Sequence, residues 1–577
     1  MANGKRRLLA VVFILILVLS EFAAALGQAR RQSGAAAISH GAEAAPASSA
    51  KLVVVIVIDQ FRYDFLERFN DLFGPGGFRR LMTEGAFLTN ANFDYVPTYT
   101  APGHAAVFTG SVPAQNGIVG NAWYDREAGR VRAIVSDSSA RVVKSAGPTG
   151  DPGAPSPRSL VGTTIGDQMR LATNLRSKVV AVSLKDRAAV LPGGQRPNGA
   201  YWFDAASATF VTSDYYTKEL PAWVKRFNET ERPEKYFGAR WDRLAPAAAY
   251  TRSQAANLPN QQSLLGRGFP YTITGGEEKI GPKFYAAFEL TPFASEFLAN
   301  FARAAVEAES LGADQFPDLL SISFSTPDLI GHSYGPDSQE VEDTYLRLDG
   351  VIADLLSHID RRVGLQNTVI ALTADHGASP VPEYVRSLGM DGGRISGRDL
   401  TDAVNEALAA RYGGERWVAA FVNDQLHLDR KMMAERKVDP GEAERIAGEA
   451  ALSLPGIVNY FTRTQILEGR LPQGPLTHRV MNGFNRLRSG DVWLVTKPFA
   501  FVTEGNLATT HGSGYSYDTH VPVILFGSGV RKGRYYFPCS PSDIAPTLAA
   551  LLGIEPPSNQ VGHVLPVIED RPARARR

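Results

Sequence analysis

Three apolar runs in this chain end on acids. KLVVVIVID closes on Asp59, LLSISFSTPD closes on Asp328 with His332 four residues on, and NTVIALTADHG carries Asp375 and His376 at its end. A further imidazole, His511, stands in ATTHGSG. Burying a carboxylate without a partner costs several kcal/mol, so an acid ending a buried run calls for a cation or a metal. Asp59, Asp328, His332, Asp375, His376 and His511 offer mixed oxygen and nitrogen donors. That mixture suits zinc better than magnesium or calcium, which take oxygen shells. Each residue alone reads as a cap, a surface acid or an ordinary histidine. Jointly they read as a metal centre.

Thr100, in PTYTAPGHAAVFTG, supplies an oxygen nucleophile. Threonine is a good helix N-cap and proline is favoured in the first turn. A helix starting there aims its free N–H groups and positive dipole end at an anion. Lys185 and Arg187 stand two apart in VAVSLKDRAAV. On a strand continuing through them they face one side, and a point charge beside a planar fork suits phosphate oxygens. Asn121, in GIVGNAWYD, offers an amide hydrogen bond to the same oxygens, although Gly-Asn taken singly is a turn signal. The layout is that of two metals and one oxygen nucleophile.

Elements must hold these residues. Apolar runs and helical patterns alternate, as in an α/β fold built on a mostly parallel sheet flanked by helices. Such sheets place their sites at the carboxyl ends of strands. The expected strands are Leu52–Ile58, Lys178–Ser183, Leu319–Phe324, Thr368–Thr373 and Val521–Phe526, without strict alternation, as befits strands covered on both faces. A helix is expected over Ser338–Asp360, where Val341, Tyr345, Leu348, Ile352, Leu355 and Ile359 recur at steps of four and three. Asp337 and Glu340 suggest its capping box. Ser542 or Asp543 would cap a last helix that Gly553 stops.

Three stretches break the rhythm: a Pro/Gly loop at 147–159, an aromatic-rich insertion at 189–315, and an α+β insertion at 380–505. The catalytic core is then 51–188, 316–379 and 506–577, the last with the C-terminal tail. Lys5, Arg6 and Arg7 precede the apolar stretch Leu8–Ser20, and small residues follow, so 1–29 reads as a secretory signal peptide and 30–50 as a flexible tether. That stretch is shorter than the roughly 20 residues of a spanning helix, which disfavours an uncleaved anchor. Lys+Arg 60 against Asp+Glu 59 gives no reason to expect nucleic acid or an acidic membrane surface as partner. The sole cysteine, Cys539, forbids an intrachain disulfide and reads as a buried structural thiol.

Together PTYTAPGHAAVFTG, GIVGNAWYD, SLKDRAA, STPDLIGHSYGPDS, TADHGASPVPE and THGSGYSYDTHVPVILFG resemble the alkaline phosphatase superfamily. Within it they are most similar to the bacterial phosphate-irrepressible alkaline phosphatases with a threonine nucleophile, relatives of type I phosphodiesterases. The resemblance covers most of 52–555. It implies an alkaline-phosphatase-like fold and two Zn2+ per chain: one held by Asp59, Asp375, His376 and Thr100, the other by Asp328, His332 and His511. It implies Asn121, Lys185 and Arg187 on the phosphoryl oxygens of small phosphate monoesters, and a covalent phosphothreonine. An exported enzyme, periplasmic or secreted, is expected, with no stable membrane partner after signal cleavage and no protein partner. The alternative is a nucleotide pyrophosphatase/phosphodiesterase, which shares the zinc ligands and threonine. Two cations favour a monoester dianion over a diester. No Cys/Ser-x-Pro-x-Arg segment points to a sulfatase, and Thr100 argues against an exported zinc- or phosphate-binding protein without turnover.

Overall fold

The computed structural model describes residues 49–569 except 151, 255–262 and 506. The expected signal peptide, nearly all of the tether and the end of the tail lie outside the described residues. Strand β1 (Leu52–Ile58) is buried at every position. Leu52, Val54, Ile56 and Ile58 enter one apolar core, while Val53, Val55 and Val57 enter another on the opposite face. An unbroken apolar run is what a doubly covered strand needs. Each such side chain stabilises the fold by about 1.5–3 kcal/mol.

Four further strands lie parallel around it: β2 (Val179–Ser183), β3 (Gly199–Asp204), β4 (Asp318–Phe324) and β5 (Thr368–Thr373), in the order β5-β1-β4-β2-β3. Val57 stands opposite Thr373, Ile58 opposite Phe324, and Ser323 opposite Ser183. The carboxyl ends of β1, β2, β4 and β5 therefore share one edge. Among the described residues the sheet has eleven strands. β6 (Val523–Gly527) runs antiparallel to β5, a direction that an apolar run does not encode.

Residues 189–315 do more than lie over the core. β3 and Thr209–Ser213 pair inside the main sheet. The aromatic residues form a packed layer there, with Phe210 stacked on Phe301 at 3.8 Å. The β2–β3 crossover helix α2 (Arg187–Gly193) has only seven residues, too few for a periodic signal. The loop at 147–159 contains a short strand, Gly147–Thr149, and a helical turn, Pro157–Ser159. Residues 380–505 hold a four-stranded sheet with the helices Gly397–Tyr412 and Pro440–Leu452, over an apolar core of their own.

One cap differs from expectation and another holds its expected position. Ser338, rather than Asp337, caps the long helix (Gln339–Arg362), accepting from the Val341 N–H. Asp337 instead receives Arg68 at 2.7 Å. Near the C-terminus, Asp543 holds the expected N-cap position of the helix Ile544–Leu552, though its side chain makes no bond to that helix and instead forms a capping box with Ser540 over the turn Pro541–Asp543; the helix stops at Gly553, φ 68°. Cys539 is half-buried rather than fully buried, and burial pushes its thiol up to about 12.

Candidate active site

Asp59 follows β1 directly, and its N–H donates to Phe324 O at 3.0 Å, tying the end of β1 to the end of β4. Two residues beyond β4, helix α3 (Thr326–Tyr334) begins; it carries Asp328 in its first turn and His332 one turn on. The four-residue spacing puts both on one helix face, with His332 Nε2 3.1 Å from Asp328 Oδ1. Asp375 and His376 follow β5, and His511 lies in the loop before β6. The fold gathers these residues into two groups, Asp59–Asp375–His376 and Asp328–His332–His511, each with ligand atoms within 4.8 Å of one another. The rings of His376 and His511 stack at 3.5 Å, joining the two groups.

The imidazoles are oriented alike. His332 Nδ1 faces Thr509 O at 2.8 Å, His376 Nδ1 faces Gly377 O at 2.9 Å, and His511 Nδ1 faces Thr98 O at 2.7 Å. A neutral imidazole that donates from Nδ1 presents its Nε2 lone pair, the arrangement of metal-binding histidines. Burial depresses His376 to about 3, and burial together with the nearby His376 holds His511 far below the usual histidine range. Both rings are therefore neutral. His332 differs: burial opposes its charge, but Asp328 outweighs burial and raises it.

Asp59 and Asp375 are wholly buried. Burial raises both, and Asp328 (for Asp59) and Asp59 (for Asp375) add to it. Burial also pushes on Asp328, yet His332 and Lys185 outweigh it and hold that carboxyl well below the usual range. Lys185 Nζ contacts Asp59 Oδ2 at 2.6 Å and Asp328 Oδ2 at 2.5 Å, one acid from each group. Asp59 Oδ1, Asp375 Oδ2 and His376 Nε2 are buried and have no hydrogen-bond partner among the described residues. Unmatched buried donor atoms of this kind, in a mixed N/O set, fit a bound metal.

Thr100 is almost fully buried and opens helix α1 (Thr100–Thr109) as its first residue. It is not the N-cap: Tyr99 holds that position, without a side-chain bond. The Ala101 N–H instead donates to Asn121 Oδ1 at 2.8 Å. With that oxygen committed, the Asn121 NH2 is the group left to donate outward. Lys185 and Arg187 do not share a strand, because β2 ends at Ser183. Asp186 caps α2 and Arg187 is its first residue, so a helix start brings the second cation in. Both cations nevertheless act on Asp59, lowering it against burial.

Three contributors escaped the sequence reading. His104 is buried; Nδ1 lies 2.8 Å from Thr100 O and 3.4 Å from Asp375 Oδ2, and Nε2 meets Ser323 Oγ at 2.8 Å. Burial lowers it to about 3, so it is a neutral strut between helix α1 and Asp375. Gln60, at φ 65°, donates from its backbone to Asp375 Oδ1 at 3.2 Å and from Nε2 to Asp328 Oδ1 at 2.7 Å. Gly103 lets α1 approach, since a Cβ there would fall 2.2 Å from Asp375 O. The one sequence signal was the Gly-His pair in PTYTAPGH; nothing local marks Gln60.

The family model for type I phosphodiesterase/nucleotide pyrophosphatase matches residues 53–517. The chain is 40% identical to alkaline phosphatase PafA of Elizabethkingia meningoseptica over 518 residues, 89% of this chain and 93% of that protein. It is 39% identical to alkaline phosphatase PhoV of Synechococcus elongatus over 524 residues, 89% of this chain and 92% of that one. The crystal structure of PafA superposes with a TM-score of 0.84 at 38% identity, covering 90% of this chain and 99% of that one.

Proposed function

Because the chain belongs to the type I phosphodiesterase/nucleotide pyrophosphatase family, within the alkaline phosphatase superfamily, we propose that it is an alkaline phosphatase that hydrolyses phosphate monoesters through a phosphothreonine on Thr100, with two Zn2+ as cofactors. The observation that carries the reading is the pair of three-residue ligand groups beside the start of α1, in a chain so similar to PafA. Asp59, Asp375, His376 and Thr100 would hold one ion, and Asp328, His332 and His511 the other. Zinc bound there lowers the pKa of a hydroxyl or water in contact with it and offsets phosphoryl charge.

The chain's own groups do the rest. Thr100 Oγ attacks phosphorus in line, and the bond to the leaving alcohol breaks as that oxygen takes up a proton. Water then attacks the same phosphorus, the P–Oγ bond breaks, and phosphate leaves with Thr100 restored. Two in-line steps retain configuration at phosphorus. Lys185, Arg187 and the Asn121 NH2 bear on the remaining oxygens, so positioning and electrostatics supply most of the acceleration. Support comes from a solved PafA variant, whose replacements are one threonine, one asparagine, one lysine and one arginine. The last two are separated by one residue, as Lys185 and Arg187 are.

The N-terminal charge and apolar pattern supports export as part of this reading. The test of function is hydrolysis of p-nitrophenyl phosphate beside bis-p-nitrophenyl phosphate, with zinc, at alkaline pH. A kcat/KM preference for the monoester by orders of magnitude is expected. Preference for the diester would move the chain to the phosphodiesterase branch.

A further inference from the structure

We propose that Asn423, in the subdomain formed by residues 380–505, is a positioning residue for the phosphoryl-binding Asn121, so that this subdomain completes the substrate site from outside the main sheet. The inference rests on Asn121 contacting the phosphoryl group, as assigned above.

Asn423 and Asp424 form the turn between the antiparallel strands Val418–Val422 and Gln425–Leu428. Both have positive φ, 57° and 56°, as a two-residue hairpin turn requires. The tip of this hairpin meets the loop that carries Asn121. Asn423 Nδ2 donates to Ala122 O at 2.7 Å, the carbonyl immediately after Asn121. Behind it, Gly120 leaves room: a Cβ there would fall 2.2 Å from Asn423 Oδ1. The other side of the loop is held by Ile134 N–H on Asn121 O at 3.0 Å. Asn121 is thus clamped on both flanks of its backbone while its Oδ1 caps α1 at Ala101. Next to the clamp, the Tyr99 hydroxyl faces Asp424 Oδ2 at 3.5 Å, so the same turn also reaches the residue before Thr100. The hairpin in turn is anchored in its own sheet by Leu494 N–H on Asp424 O at 3.0 Å.

An amide whose Oδ1 is fixed donates along one direction. Rotation of the Asn121 backbone would swing that NH2 away from the phosphoryl oxygens while leaving the ligand groups untouched. Asn423 therefore acts on substrate through Asn121 and not through metal binding.

The test is a double-mutant cycle on the full zinc-loaded enzyme, with kcat/KM for p-nitrophenyl phosphate and the inhibition constant of inorganic phosphate as readouts. Asn423→Gly removes the side chain yet keeps a residue at ease with positive φ. Asn423→Asp keeps size and turn propensity but sets a carboxylate against Ala122 O. In the parent, each is expected to lower kcat/KM and weaken phosphate inhibition by about tenfold, the scale of one lost hydrogen bond. In an Asn121→Ala background the same changes are expected to do almost nothing, with zinc content unchanged throughout. Equal losses in both backgrounds, or no loss in the parent, would overturn the proposal. If Asn121→Ala by itself leaves kcat/KM intact, the assignment of Asn121 falls first, and the single-mutant arm identifies that failure separately.

Discussion

Replacing Gly103 by alanine puts a methyl carbon 2.2 Å from the carbonyl oxygen of Asp375 and 2.6 Å from its Cα. Carbon and oxygen are comfortable at about 3.3 Å, so α1 and the Asp375 segment must part by about 1 Å. Neither yields easily, because every residue of α1 is buried and Asp375 is inaccessible. Forced overpacking costs about 1–3 kcal/mol, against the roughly 0.5–1 kcal/mol that alanine gains over glycine inside a helix. Strain should win. Because the gap opens between Thr100 and Asp375, proposed above as nucleophile and metal ligand, the catalytic loss should exceed the stability loss, by about 10²-fold in kcat/KM for a 1 Å misplacement. The assay is p-nitrophenyl phosphate hydrolysis with zinc, beside urea unfolding and metal content. Gly350→Ala, in the long helix and with nothing within 4 Å, is the control: about 0.5–1 kcal/mol more stable, with unchanged kcat/KM. If Gly103→Ala keeps kcat/KM within about tenfold, under about 1.4 kcal/mol of barrier, the close approach of α1 to Asp375 does not govern the site.

Thr100→Ala should retain zinc and bind phosphate yet lose turnover; activity within about tenfold of the parent would refute Thr100 as nucleophile. Lys185→Ala with Arg187→Ala should harm monoester hydrolysis far more than diester hydrolysis, and equal losses at full zinc content would count against selection of a dianion. Glu444, buried in the 380–505 subdomain, is raised to about 7 by burial. Its folded form therefore keeps a proton that the unfolded chain releases at lower pH, so its stabilising contribution is full below the unfolded pKa and is lost as pH rises through about 7. Glu444→Gln should flatten the fall in urea midpoint between about pH 5 and about pH 8; an unchanged slope would refute this.

The strand ends were legible because a buried apolar run that stops at Asp59, at Asp375 or just before Asp328 leaves a carboxylate that only a cation or a metal can offset. The ligand grouping was legible only through family resemblance, since nothing local says that His511 joins Asp328 and not Asp375. Lys-Asp-Arg carries no sign of a helix start stronger than Asp186 itself, so Arg187 reads as a strand residue until the fold shows where β2 stops. Thr100 looks like an N-cap by residue type, but Asn121, distant in sequence, takes over the satisfaction of the first turn. His104, Gln60 and Asn423 matter through partners that only the fold brings near, and Asn423 further hides in WVAAFVNDQLHLD, whose apolar residues read as strand-like from end to end.

The group Asp328–His332–His511 closes only when the loop before β6 reaches α3, across the whole 380–505 subdomain. A chain growing from its N-terminus has built β1, β4 and β5 by then, yet holds an incomplete set of donors until its last strands emerge. Contacts of such sequence separation form late and slowly. On the function proposed above, metal capture should accordingly be an event of maturation, after the sheet is assembled, and a chain cut short before His511 should fold much of its core and yet fail to load the second metal site assigned there to Asp328, His332 and His511.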